Sequence, residues 1–398
     1  MTINRVFRMS DHKPDNCIAS DNQADFIQLY NSEPHLCLPA LQPGSDSLHL
    51  FTEGDILYEA MLGSIASARN NILLESYIFG DDEVGWEFAE ALAEKAGAGI
   101  EVLLHLDAAG TRLRGGRKFE KYLREHNIQL KWFNRWSWAD PLRYNRRQHR
   151  KLLVVDKSDA YVGGFNIHRQ SSHSLFGRER WRDAHVRFSD ALALQAAEMF
   201  YAFWDGRVHW AVPDNGGATS VLVPNNSAEC RYLLNCFITA MLSCAKHFIY
   251  LTTPYFVPDN RTMKALTDSA GRGVDVRILV PAKSNIPLAY WAGRHLYSAL
   301  LRAGIRIYEY QPGLMHAKTI VVDSSWGTVG SSNFDYRSFF LNYELNMITR
   351  DRALCRKLRN QFLEDLSQAD EVTDGRWSAR GLTSHFCESA GWFLRRWL

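Results

Sequence analysis

The sequence predicts an α/β protein made from one unit used twice: two repeated α-β-α sandwich domains, each a mixed β-sheet flanked by helices, packed as a pseudo-twofold dimer with a shared site between them. Three observations carry this prediction. First, Ile65–Phe79 (IASARNNILLESYIF) is answered 177 residues later by Leu242–Phe256 (LSCAKHFIYLTTPYF). Each is the end of an amphipathic helix, a basic residue and an apolar run rich in strand formers. Second, Ala96–Val102 (AGAGIEV) matches Ala270–Val276 (AGRGVDV), in both cases a helix ending in glycine before a buried strand. Third, the pattern H-x-K-x4-D occurs at His149–Asp156 and again at His316–Asp323.

In chain order, residues 1–45 are polar and irregular, an N-terminal segment ahead of the repeat. The first copy is placed at 46–210, where Leu57, Met61, Ile65 and Ala68 trace one helix face. A strand follows at Val102–Leu106, then a helix and a short strand near Lys118–Phe133. The Pro, Asp, Asn and Gly content of 211–219 marks a linker. The second copy is placed at 220–372, with its strand at Val276–Val280 and a helix and strand near His295–Tyr310. Residues 373–398 read as a C-terminal amphipathic tail.

Composition bounds the function. With 398 residues, 46% hydrophobic and 23% charged, the chain is an ordinary globular protein, which excludes disordered and fibrous classes. Its 46 basic and 44 acidic residues leave a net charge of +2, which argues against a uniformly basic nucleic-acid binder but not against a local basic site. The opening MTINRVFRMSDHKPDNCIASDN has no apolar core of signal-peptide length. The most apolar stretch, Leu233–Ala245, is broken by Asn235 and stops at Lys246, short of the roughly 18 apolar residues a span needs. Seven cysteines without a CxxC pair are expected to be reduced core residues, with no zinc site and no metal or cofactor.

The duplicated motif carries the chemistry. One H-x-K-x4-D is expected by chance in about one chain of this kind in thirty, so a single copy would say little. Here both copies are followed at one spacing by a glycine and an asparagine, Gly163-Gly164-Phe165-Asn166 and Gly330-Ser331-Ser332-Asn333. Leu152–Val155 and Thr319–Val322 are aliphatic and β-branched, so each motif enters a buried strand. On extended backbone, side chains two apart share a face, which aims His149 with Lys151 and His316 with Lys318. The small residues are expected to let backbone approach a ligand, and Asn166 and Asn333 to donate to its oxygens. Two imidazoles, two ammoniums and two amides in one pocket suit a tetrahedral phosphate. The candidate catalytic set is His149, Lys151, Asp156, His316, Lys318 and Asp323. Within it the aspartates lie at the far end of each strand, and a structural role is expected for them.

On these motifs the sequence resembles the phospholipase D superfamily, whose hallmark is the duplicated HKD motif, over roughly residues 46–372. The resemblance implies metal-free transfer through a phosphatidyl-histidine, with His149 as nucleophile and His316 as acid and base. It also implies that each histidine is oriented by a downstream carboxylate, at the matching positions Asp183 and Glu344. The strings Trp181-Arg182-Asp183, Ser331–Ser338 (SSNFDYRS) and Thr252–Asp259 (TTPYFVPD) look like bacterial cardiolipin synthases of the type without N-terminal membrane helices. His168-Arg169-Gln170 departs from that pattern, where a small residue and acidic ones are usual.

The resemblance implies a phosphatidyltransferase acting on phosphatidylglycerol or phosphatidylethanolamine, peripheral on the cytoplasmic side of a bacterial inner membrane. Water as acceptor would make the same site a phospholipase D hydrolase. A phosphodiesterase or nuclease is the alternative enzyme, and a catalytically dead lipid binder is disfavoured by two intact motifs. No nucleic-acid partner is expected. Two stretches suit an anionic membrane surface. Lys131–Lys151 holds seven basic residues and one acidic among Trp132, Phe133, Trp136, Trp138 and Tyr144. The tail gathers Trp392, Phe393, Leu394, Trp397 and Leu398 around Arg395 and Arg396.

Overall fold

The structure, a computed structural model, describes residues 39, 41–111, 117–138, 143–207 and 217–395. Most of the N-terminal segment and of the linker, residues 139–142 of the basic stretch, and Arg396, Trp397 and Leu398 of the tail lie outside the described residues.

Two mixed sheets form the frame. The first contains β1 (His49–Phe51), β2 (Asn71–Ser76), β3 (Glu101–Asp107), β4 (Gln129–Phe133), β5 (Leu152–Val155), β6 (Asp159–Gly163) and β7 (His185–Ser189), in the order β1-β7-β6-β5-β2-β3-β4. The second contains β8 (Ser220–Pro224), β9 (Phe248–Thr252), β10 (Asp275–Pro281), β11 (Arg306–Tyr310), β12 (Thr319–Val322), β13 (Trp326–Gly330), β14 (Leu345–Thr349) and β15 (Ala369–Glu371), in the order β15-β11-β10-β9-β12-β13-β14-β8. Apart from the added edge strand β15, the orders match strand for strand. In each sheet a parallel trio, β2-β3-β4 or β9-β10-β11, adjoins an antiparallel run through β5-β6-β7 or β12-β13-β14. The predicted two-fold repeat of a mixed sheet is therefore observed.

Strand periodicity explains how the sheets stack. Along β5, Leu152 and Val154 enter one core while Leu153 and Val155 enter another. Along β12, Val321 joins the same inner core as Leu152, whereas Ile320 and Val322 face outward. That inner core also holds Leu73, Val162, Leu222, Tyr250 and Val329, so both sheets contribute to it. Helices Asp190–Trp204 and Arg352–Leu366 add Ala193, Ala196, Ala197 and Phe200, and Leu354, Leu358 and Phe362. The halves share one apolar core instead of meeting at a wet interface, and hydrophobic burial holds them together.

Asp156 and Asp323 sit in the hairpin turns after β5 and β12, with φ of 52° at each. Asp is among the few non-glycine residues that enter this left-handed region readily. Asp156 accepts from the backbone N–H groups of Arg69, Asn70 and Asn71 at 2.9, 2.7 and 3.0 Å. Asp323 accepts from Lys246, His247 and Phe248 at 2.8, 2.9 and 2.8 Å. Each aspartate therefore ties the helix-to-strand turn before β2 or β9 to the next hairpin. Partial burial works against ionisation of Asp156, but those N–H groups outweigh it and hold its pKa below the usual range.

The tail folds back onto the second half. Helix Leu382–Phe393 lies along helix Pro287–His295, and Trp392 stacks on His295 with centroids 5.0 Å apart. Cys244, Cys355 and Cys387 are free thiols. Among the described residues, no helix is long and apolar enough to cross a membrane.

Candidate active site

Both motif histidines precede an antiparallel strand, so they lie at the end of the sheets where the parallel strands finish. His149 stands three residues before β5, whose Leu152 pairs with Glu75 near the end of β2. Backbone from the opposite half fixes each entry strand. The His149 N–H donates to Tyr343 O at 2.8 Å, and the His316 N–H donates to Arg182 O at 2.7 Å. The residue after each of these carbonyls is a buried carboxylate, Glu344 or Asp183. His149 Nδ1 is 2.9 Å from Glu344 Oε2, and His316 Nδ1 is 2.5 Å from Asp183 Oδ2. Motif and carboxylate thus pair crosswise, each histidine using the other half's acid.

His149 Nδ1 has a second neighbour, Ser331 O at 3.1 Å. Both partners are acceptors, so the proton resides on Nδ1 and leaves the Nε2 lone pair bare. Tyr77 meets the His149 ring edge-on at 5.0 Å, and Trp181 packs on His316 at 5.1 Å. The lysines lie beside these histidines. Lys151 Nζ donates to His149 O at 2.7 Å, and Lys318 Nζ lies 3.5 Å from Asp183 Oδ2 and 2.7 Å from His316 Nδ1.

Burial dominates the electrostatics. It pushes Lys151 down to about 7, against the attraction of Glu344, and it also lowers Lys318. Burial holds His149 below its ordinary value, with Glu344 opposing; burial and then Lys318 hold His316 well below. Burial raises Asp183, with Lys318 opposing. An anionic ligand oxygen entering here would favour the charged form of both ammoniums.

Of the sequence-predicted residues, His149, Lys151, His316, Lys318, Asp183 and Glu344 are brought together. Asn166 and Asn333 follow β6 and β13 at the same end of the sheets. The Ile78 N–H donates to Asn166 Oδ1 at 3.1 Å, which turns the amide NH2 the other way. Asn333 Oδ1 is buried with no hydrogen-bond partner among the described residues. Asp156 and Asp323 are not at the site: they occupy the hairpin turns at the far ends of β5 and β12, where three backbone N–H groups use up their oxygens.

The glycines also differ from expectation. A Cβ on Gly164 would stand 2.0 Å from Asp183 Oδ1, and one on Gly163 would stand 2.4 Å from Ala184 O. A Cβ on Gly330 would meet Asn346 Oδ1 at 2.2 Å. The space they open is filled by neighbouring protein groups, the Asp183 carboxylate above all, and not by a ligand. Sequence reasoning missed Tyr77 and Asp107, which no motif marks. Asp107 accepts from the N–H groups of Ala109, Gly110 and Gln148 at 2.8, 3.0 and 2.9 Å and pairs with Arg147 at 3.3 Å. It anchors the backbone just ahead of His149. An acid at the end of a buried strand, in His105-Leu106-Asp107, was the available signal.

The family model described as "Cardiolipin synthase, PLD-like domain" matches residues 61–204 and again 238–366. The chain belongs to the cardiolipin synthase family of phospholipase D-like proteins. That membership makes it an enzyme of the phosphatidyltransferase class. This family member is 31% identical to a cardiolipin synthase of Staphylococcus aureus (strain Mu50) over 381 residues, 92% of this chain and 75% of the relative. It is 30% identical to cardiolipin synthase A of Pseudomonas entomophila (strain L48) over 342 residues, 83% of this chain and 70% of the relative. Among solved structures, phosphatidylserine synthase of Haemophilus influenzae Rd KW20 superposes with a TM-score of 0.66 at 14% identity, covering 94% of this chain and 99% of that one. Polyphosphate kinase of Porphyromonas gingivalis gives 0.58 at 12% identity, covering 83% and 49%. At such identities these two share the fold alone.

Proposed function

We propose that this cardiolipin synthase family member transfers a phosphatidyl group from one phospholipid to a hydroxyl of another, through a covalent phosphatidyl-histidine. Phosphatidylglycerol is the expected donor and acceptor, with phosphatidylethanolamine as a further candidate. One observation carries this reading: two imidazoles in one pocket, each with Nδ1 against a buried carboxylate of the opposite half. His316 enters as the imidazolium, which Asp183 and the bound anionic phosphate favour. His149 Nε2 attacks phosphorus, the bond to the headgroup oxygen breaks, and His316 donates its Nε2 proton to that oxygen. The acceptor hydroxyl then gives its proton to His316, its oxygen attacks phosphorus, and the P–N bond breaks to restore His149. Lys151, Lys318, Asn166 and Asn333 hold the nonbridging oxygens, where they stabilise the charge that develops in the transition state. Glu344 and Asp183 stabilise each imidazolium as it forms.

The substrates sit in a bilayer, so the enzyme works from its surface, peripheral on the cytoplasmic face of the inner membrane. The loop between β4 and His149 supports this. It spans fifteen residues, against five between β11 and His316. It exposes Trp136 and Trp138, which meet edge to face at 5.3 Å. Exposed tryptophans among cations favour the headgroup level of an anionic membrane.

The test is incubation with phosphatidylglycerol or phosphatidylethanolamine vesicles and resolution of the products. Cardiolipin or another bis-phosphatidyl lipid is expected. Phosphatidic acid alone would replace the transferase reading with a hydrolase, and inertness toward lipid with cleavage of DNA or RNA would overturn it.

A further inference from the structure

The tail helix Leu382–Phe393 presents two unlike faces. Its inner face is built for close contact with helix Pro287–His295: a Cβ on Gly391 would lie 2.8 Å from Ala292 N and 3.0 Å from the Trp291 carbonyl carbon. The helices therefore touch backbone to backbone at that point, and Trp392 packs beside Ala289 and Ala292. The helix's one carboxylate, Glu388, is 2% exposed and paired with Arg380 at 3.1 Å. On the outer face, Leu382, Phe386 and Phe393 are 87, 75 and 83% exposed. Their spacing of four and then seven residues forms one stripe along the helix.

The position of this stripe relative to the site is fixed by two packing steps. Trp392 and Ala289 share a small cluster with Tyr255 and Val257. The Val257 N–H donates to Phe334 O at 2.6 Å, and Phe334 directly follows Asn333. Tyr255 OH donates to Asn285 Oδ1 at 2.5 Å, on the loop that opens the docking helix and exposes Ile286.

We infer that this stripe is a bilayer-inserting edge: Leu382, Phe386 and Phe393 enter the interfacial region of an anionic membrane and hold the mouth of the site against the lipid from which the substrate comes. The inference rests on the phosphatidyl-transfer reading above. Charge argues for lipid as the occupant. With Glu388 turned inward, the outward face carries no acid, and the cation at the helix end, Arg395, packs over the Trp392 ring at 4.0 Å. An interfacial helix binds through its apolar area, and this face offers that area with no carboxylate to repel anionic headgroups.

The test uses the full chain carrying Leu382→Ser, Phe386→Ser and Phe393→Ser together, exposed positions whose change leaves the core untouched. Flotation with vesicles of phosphatidylglycerol and phosphatidylcholine is expected to fall about tenfold or more, with a parallel fall in turnover on those vesicles. Turnover of dihexanoyl-phosphatidylglycerol below its micellar concentration is expected to stay within about twofold, because chemistry without a bilayer needs no docking. Unchanged flotation would overturn the inference. So would a lipid-free dimer of the native chain that the triple variant converts to monomer, since the stripe would then be a contact between copies. His149→Ala should float normally and turn over neither substrate. If the native chain itself turns over neither, the transfer reading fails, and flotation still decides the docking.

Discussion

His149 and Glu344 lie 195 residues apart in sequence and 2.9 Å apart in space. The histidine belongs to the first half of the repeat and the carboxylate to the second. The bond forms because the Gln148–His149 segment and the Tyr343–Glu344 segment run side by side as a short parallel bridge across the two halves. The Gln148 side of that bridge is itself anchored on Asp107.

Neutralising the carboxylates should therefore disable chemistry in both halves. Glu344→Gln and Asp183→Asn keep the shape but remove the charge that stabilises an imidazolium and fix its tautomer less well. Each is expected to lower kcat by about 10²–10⁴-fold. KM should change much less, because neither carboxylate is placed to touch the lipid. A kcat within threefold of the parent in either variant, by steady-state assay, would contradict the orienting role.

The order of the two histidines can be read with an activated substrate. His316→Ala should lose transfer from phosphatidylglycerol yet still cleave phosphatidyl-p-nitrophenol, whose leaving group departs without a proton. The covalent adduct should then accumulate on His149, mapped by mass spectrometry after acid-free digestion. An adduct on His316 in the reciprocal His149→Ala variant, and none on His149, would reverse the assignment.

Lys151 sets a pH limit. Burial lowers it from the usual 10.5 to about 7, so in the free enzyme the ammonium is lost as pH rises through 7. Phosphate binding needs that charge, so kcat/KM is expected to fall above about pH 7. Bound phosphate favours the charged form, so the fall in kcat should begin higher. Stability moves in the opposite sense. Between about 7 and 10.5 the unfolded chain binds more protons at this position than the native state, so the group's contribution to stability rises with pH across that window. A Lys151→Met variant should lose both trends, measured by kinetics and by urea unfolding at several pH values.

The motif aspartates should behave as structural residues. Asp156→Ala or Asp323→Ala leaves three backbone N–H groups without their acceptor and removes a residue suited to the left-handed turn. A loss of about 1–3 kcal/mol of stability is expected from each. The folded fraction should keep kcat within about threefold of the parent, because the turn lies at the opposite end of its strand from the histidine. A stable variant with kcat reduced a hundredfold would give the aspartate a catalytic role after all.

The repeat was legible in the sequence because local rules specify it: helix faces at 3.6-residue spacing, glycine stops, and β-branched runs such as Leu152–Val155. The histidines, lysines and asparagines were legible because they recur at fixed intervals. Other features depend on distant chain and left no local trace. Nothing in the order of residues says that Asp183 serves His316 and Glu344 serves His149, since that follows from how two sheets stack on one core. Gly164 read as room for a ligand, and only the position of Asp183 reveals what occupies the space. Tyr77 packs against the His149 ring and Asp107 holds the backbone ahead of it by hydrogen bonds, so no spacing identifies them.

The inner core has a consequence for how such an enzyme diversifies. Two copies of a single half could build the same crosswise site only at concentrations where they associate, and every change would appear twice. Joined in one chain, the partner's effective concentration is set by the covalent connection and survives any dilution. Each half is also released from symmetry. The first half carries the long tryptophan loop and a buried Arg150–Glu75 pair at 2.8 Å, where the second has a short loop, Ala317 and Thr252. A donor and an acceptor that differ in shape can then approach one phosphorus from two sides that are no longer copies of each other.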